Sequence, residues 1–126
     1  MEISRIDHFV ITVSDLERTC DFYSRVLGMT VRHEKNRPTS LHFGEQKINV
    51  HQKGKEFKPR SHIPTVGSAD FCLITDVPMA ETIAHIEAEG VKIEEGPVPR
   101  TGAVGRISSI YFRDPDLNLI EVANYL

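Results

Sequence analysis

The sequence predicts an α+β protein made of two tandem βαβββ modules that curve into one half-barrel-like sheet. Three observations carry this prediction. A strand-like alternation rich in β-branched residues opens each half of the chain, helical spacing follows each alternation, and a glycine closes each helix after the same interval. The 126 residues, 40% hydrophobic and 26% charged, suffice for one domain or two small halves, without a separate cofactor module.

In the first module, about residues 3–52, Ile3–Val13 alternates with period two and reads as a strand. Ser14 or Asp15 then caps a helix carrying Leu16, Cys20, Tyr23 and Leu27 at helical spacing, and Gly28 stands where a left-handed residue ends it. Thr30–His33, Leu41–Phe43 and Lys47–Gln52 follow as strands. A linker, about 53–68, carries Lys53, Lys55, Lys58 and Arg60. The second module, about 69–126, begins with Ala69–Thr75 as a strand. Asp76 is placed to cap a helix with Pro78 in its first turn, running to Gly90. Val91–Glu94 reads as a strand and Gly96–Gly105 as a Gly/Pro-rich loop able to act as a lid. Ile107–Phe112, the turn Arg113–Asp116 and the strand Asn118–Ala123 complete the module.

Composition narrows the function classes. A formal net charge of −3 and a pI of about 6.0 argue against a nucleic-acid partner held by bulk positive charge. No apolar run approaches the ~18 residues of a membrane span, and the N-terminus has no apolar leader-like core, so the expectation is a cytoplasmic protein with no membrane partner. Cys20 and Cys72 fall in no paired motif and read as buried, reduced thiols.

The internal repeat is the most informative feature. His8 and Asp70 lie 62 apart (70 − 8), as do Gly28 and Gly90 (90 − 28). Leu41-His42-Phe43 matches Ile110-Tyr111-Phe112 at an offset of 69 (110 − 41), and Ile48-Asn49-Val50 matches Ile120-Glu121-Val122 at 72 (120 − 48). Equivalent positions of two such modules are expected to face a shared concavity. The repeat therefore singles out His8 and Asp70 on the first strands and Asn49 and Glu121 on the last, all imidazole or oxygen donors suited to a divalent ion. His51 shares strand parity with Asn49, so either residue is a candidate fourth donor.

The phrases Ile6–Val13, Asp21–Met29 and Phe112–Val122 closely resemble the vicinal oxygen chelate superfamily, over essentially the whole chain. That superfamily includes glyoxalase I, extradiol dioxygenases, methylmalonyl-CoA epimerase and fosfomycin- and bleomycin-resistance proteins. Gly67–Asp70 and the stretches Glu94–Pro97 and Arg100–Gly105 look like the glyoxalase domain-containing protein 5 group and its lactoylglutathione-lyase-like bacterial relatives. The resemblance implies a divalent metal (Ni, Zn, Mn or Fe(II)), with His8 and Glu121 on ligand positions. Asn49 and Asp70 depart from the His/Glu/His/Glu set of glyoxalase I, and Asp70 stands where ring-cleaving dioxygenases place a second His. It also implies a small-molecule substrate and a homodimer.

Three functions follow as expectations. The first is a metal-dependent glyoxalase-like lyase or isomerase that stabilises an enediolate, with Glu121 or Asp70 moving the proton. The others are an Fe(II) ring-cleaving dioxygenase using His51, and a non-catalytic small-molecule binding or resistance protein. Arg100 and Tyr111 are candidate substrate-binding residues. The linker cations are read either as a solvated surface or as a collar for an anionic substrate.

Overall fold

The computed structural model describes all residues, Met1–Leu126. The order is β1 (His8–Val13), α1 (Leu16–Leu27), β2 (Thr30–Arg32), β3 (Thr39–Phe43), β4 (Gln46–Gln52), β5 (Asp70–Ile74), α2 (Met79–Ala88), β6 (Glu95–Thr101), β7 (Arg106–Arg113) and β8 (Leu119–Tyr125). The chain divides into two compact units, Met1–Gly67 and Ser68–Leu126. Each holds one four-stranded sheet, ordered β1-β4-β3-β2 in the first and β5-β8-β7-β6 in the second. No helix is long and apolar enough to cross a membrane.

In the first unit, the strand pattern buries one face of the sheet. Ile11, Val13, Leu41, Ile48 and Val50 are almost fully buried, together with Cys20, Phe22, Tyr23 and Val26 of α1. The Asp15 carboxylate accepts from the Arg18 N–H at 3.0 Å, satisfying one orphan donor of the first turn. Gly28 ends α1 at φ +67°, with its own N–H and that of Met29 donating to the Ser24 and Tyr23 carbonyls. The second unit repeats the plan around Ile86, Ile110, Phe112, Ile120 and Val122.

Several sequence expectations are corrected. The opening strand begins at His8, because only from there does β4 supply a ladder. Asp76 does not cap α2. The N-cap is Pro78, which has no side-chain acceptor, while Thr75 Oγ1 takes the Val77 N–H at 3.1 Å. The strand expected at 91–94 lies instead at Glu95–Thr101, within the expected loop. Its prolines misread as a loop are tolerated because β6 is an edge strand, bulged between Glu95 and Val98. Gly96 there is no lid hinge: a Cβ would sit 2.3 Å from the Ser109 carbonyl oxygen. Cys72 is exposed rather than buried.

The repeat extends to strand register. His8 pairs with Lys47 and Asp70 with Leu119, so each first-strand position lies two residues short of Asn49 or Glu121 on the same face. The β3 match differs, however. Ser40 pairs with Asn49, and Tyr111 pairs with Glu121, so Tyr111 is the counterpart of Ser40 at an offset of 71 (111 − 40), not 69. The difference from 69 arises ahead of β3, and the β7–β8 turn takes up only one extra residue (72 − 71). There Asp114, only 3% exposed, accepts from Asp116 N at 2.9 Å, Asn118 N at 3.0 Å and Asn118 Nδ2 at 2.8 Å. A two-residue shift keeps parity, so the faces are unchanged.

Candidate functional site

The face away from the buried core is largely polar in the first unit, and in the second it mixes Asp70, Ser109, Tyr111 and Glu121 with Ile107, Leu119 and Ala123. In the first unit it carries His8, Val10 and Thr12 on β1, Lys47, Asn49 and His51 on β4, Ser40 and His42 on β3, and Arg32 on β2. His8 is exposed, and its Nδ1 lies 2.7 Å from Asp7 Oδ2. An ionised carboxylate there accepts the Nδ1 hydrogen and leaves the Nε2 lone pair for a ligand, the partner arrangement usual for metal-binding imidazoles. The His8 contact is the main cause that holds the Asp7 carboxyl below its usual range.

Asn49 Oδ1 is buried and has no hydrogen-bond partner. An orphan carbonyl oxygen in mid-sheet is costly, and a cation or a donating ligand is what would satisfy it. His51 is 4% exposed, with its ring 5.7 Å from that of Phe57. Burial lowers its pKa, although the Glu56 charge opposes this.

In the second unit, Glu121 lies half-buried at mid-strand, register-paired with Cys72 and Tyr111. Ser109, fully buried, donates its Oγ hydrogen to Glu121 Oε2 at 2.6 Å. That charge-assisted bond fixes the carboxylate on its strand. The Cys72 thiol is pushed up to about 11, first by partial desolvation of its sulfur against the sheet and then by the Glu121 charge and hydrogen bond. Asp70 is exposed at the start of β5.

Arg100 and Tyr111 are brought together, but with each other. Arg100 Nε donates to the Tyr111 hydroxyl at 3.0 Å, NH1 to the Pro99 carbonyl at 3.0 Å and NH2 to Glu95 at 3.3 Å. The guanidinium also stands over the Tyr111 ring, 5.5 Å from its centroid. Arg100 sits on strand β6, not on a loop, and its fork is already occupied. Of the linker cations, Arg60 donates to the Ser61 and His62 carbonyls.

His8 with Asn49 and His51 therefore belongs to the first unit and Asp70 with Glu121 to the second. No three His, Cys, Asp or Glu side chains cluster to hold a metal within the chain. By type the donors fit a divalent ion: an imidazole with its far nitrogen anchored, an orphan carbonyl oxygen and an oriented carboxylate. Sequence reasoning missed Asp7, Ser109, Lys47 and Arg32. Parity alone signals them, since all but Asp7 share a face with a position the repeat had singled out.

Residues 5–122 match the family model described as the Glyoxalase/Bleomycin resistance protein/Dioxygenase superfamily. The chain belongs to that superfamily. Its two-module fold, with one four-stranded mixed sheet per module and no closed barrel, is the fold of this superfamily.

Within the superfamily, a Salmonella typhimurium protein named as a virulence protein is 52% identical over 126 residues, 100% of this chain and 88% of its own length. The crystal structure of that protein matches with a TM-score of 0.97, covering 100% of each chain. A glyoxalase domain-containing protein of Mycosarcoma maydis is 49% identical over 125 residues, 99% of this chain and 70% of its own length. Lactoylglutathione lyase from Agrobacterium tumefaciens, at 22% identity, shares the superfamily fold with a TM-score of 0.75, covering 98% of this chain and 95% of that one.

Proposed function

We propose that this protein is a metal-dependent, glyoxalase-like lyase or isomerase acting on a small substrate with adjacent oxygens. The observation that carries the reading is Glu121, a mid-strand carboxylate on the sheet face away from the core whose Oε2 is held at 2.6 Å by the buried Ser109 hydroxyl. A carboxylate so oriented is suited to taking a proton from a carbon beside a carbonyl and returning it to the neighbouring carbon.

In this reading the ion is held by His8, Asp70 and Glu121 with Asn49 or His51, and the working form is a cytoplasmic homodimer. A divalent ion bound there supplies Lewis-acid polarisation of the substrate oxygens. The chain's own residues do the rest. Asp7 orients the His8 ring through Nδ1, Ser109 orients Glu121, and the orphan Asn49 Oδ1 would ligate the ion or accept a hydrogen bond from the substrate.

The test is metal content per chain of untagged protein purified without oxygen, for wild type and Glu121→Ala. The expected result is about one divalent ion per chain in wild type and a loss of roughly tenfold or more in affinity in the variant. Bound Ni, Zn or Mn supports the isomerase. Bound iron(II) would favour a ring-cleaving dioxygenase with His51 as second imidazole. A wild type that takes up no metal after reconstitution would overturn both readings and leave a small-molecule binding protein.

A further inference from the structure

Two groups of cations stand beside the proposed donors, and the structure separates them. In the second unit, Arg100 is spent on Tyr111, Pro99 and Glu95, and Arg113 on Glu94 at 3.1 Å and the Leu117 carbonyl at 3.3 Å. On the first unit's polar face the cations are uncommitted. Arg32 and Lys47 form no ion pair within the protein. Register places them around one patch: Arg32 opposite Ser40, Ser40 opposite Asn49, His42 opposite Lys47, and Lys47 opposite His8. His42 lies between the two cations, and its ring shares a 2.8 Å hydrogen bond with Ser40 Oγ.

The nearby carboxylates are shared with other groups, although Asp7 also feels the Lys47 charge. Glu34 lies 3.6 Å from Arg37 and Asp7 lies 2.7 Å from His8. Burial and the positive fields of Arg32 and Lys47 together lower the His42 pKa, with Glu34 opposing, so the patch resists taking a further positive charge. Two cations with no ion-pair partner, beside a hydroxyl and an imidazole and one residue pair from His8, form a place for a negative group.

The geometry points to a subsite for the anionic group of the substrate, a carboxylate or phosphate, built from Arg32, Lys47, His42 and Ser40. It deepens the proposed function and rests on that reading for its link to catalysis. It assigns the anion to the first unit's sheet, in place of Arg100 or the linker cations.

Inorganic phosphate is the probe. Backbone amide shifts of ¹⁵N-labelled full-length protein are followed by NMR during phosphate addition at constant ionic strength and pH. Saturable shifts are expected at Arg32, Ser40, His42 and Lys47. Arg32→Gln and Lys47→Met should each weaken binding by roughly five- to tenfold, and the double variant should abolish it. Glu121→Ala should leave phosphate binding intact.

Shifts that match those in sodium chloride would overturn the subsite. So would shifts centred on Arg100 or on Lys53–Arg60, or saturable binding that survives in the double variant. Metal content separates the two claims. A wild type without metal that still binds phosphate here keeps the subsite and loses the reaction, whereas a metal-loaded wild type that ignores phosphate loses the subsite alone.

Discussion

Replacing Asn49 by Leu should make the protein more stable. The side chain sits at mid-strand on β4 with Oδ1 sealed from water and unpaired. An unsatisfied buried acceptor costs about 1–3 kcal/mol, and a leucine of similar size removes that cost while adding apolar contact. Allowing for imperfect packing of the branched side chain, the expected gain is about 1–2 kcal/mol. That corresponds to a rise of roughly 3–6 °C in Tm for a chain of this length. Urea denaturation at matched protein concentrations reads the gain as a higher midpoint with an unchanged slope. A loss of about 1 kcal/mol or more would refute the reasoning, since it would mean that Oδ1 has a partner worth keeping. The same variant should bind metal less well, the usual exchange of stability for a working site.

Other outcomes follow from contacts already described. Asp114→Ala removes three hydrogen bonds to one buried carboxylate, two of them from the buried Asn118, and should cost about 3–5 kcal/mol by chemical denaturation. Cys72, held at about 11 against an ordinary 9.0, should react with a disulfide reagent at pH 8 roughly tenfold more slowly than an unperturbed thiol. The thiolate is about a hundredfold scarcer but more nucleophilic. Glu121→Gln should speed that reaction. His51 and His42 have folded pKa values below the ordinary 6.5, so below that pH the unfolded chain binds protons that the folded one refuses. Stability should therefore decline as pH falls from about 6.5 through the depressed folded values, and His51→Gln should flatten the decline measured by denaturation at stepped pH.

The sequence made most of the fold legible because it was written twice. Asp15, Gly28 and Gly90 carry backbone chemistry that reads locally, and period-two alternation assigns the buried faces of β1, β4 and β8 without any long-range information. Strand β6 was not legible, because Pro97 and Pro99 argue for a loop unless the strand is known to lie at an edge. The offset of β3 against β7 failed for a related reason: a two-residue slip keeps parity, so the apolar pattern fits either register and only the strand pairing decides. The site divides in the same way. Parity put His8, Asn49 and Glu121 on the faces away from the core. It was silent on Ser109 holding Glu121, a cross-strand meeting fixed by register, and on Glu95 engaging Arg100 along the bulged strand β6.

The prolines of β6 also act beyond their own strand. Pro97 and Pro99 have no N–H to offer an incoming chain, so that border of the second sheet is closed to strand addition. The three-residue β2 leaves the matching border of the first sheet too short to template one. At the other borders, β1 and β5 carry no proline and run apolar through Phe9-Val10-Ile11 and Phe71-Cys72-Leu73. Each sheet is thus polarised, one side silent and the other receptive.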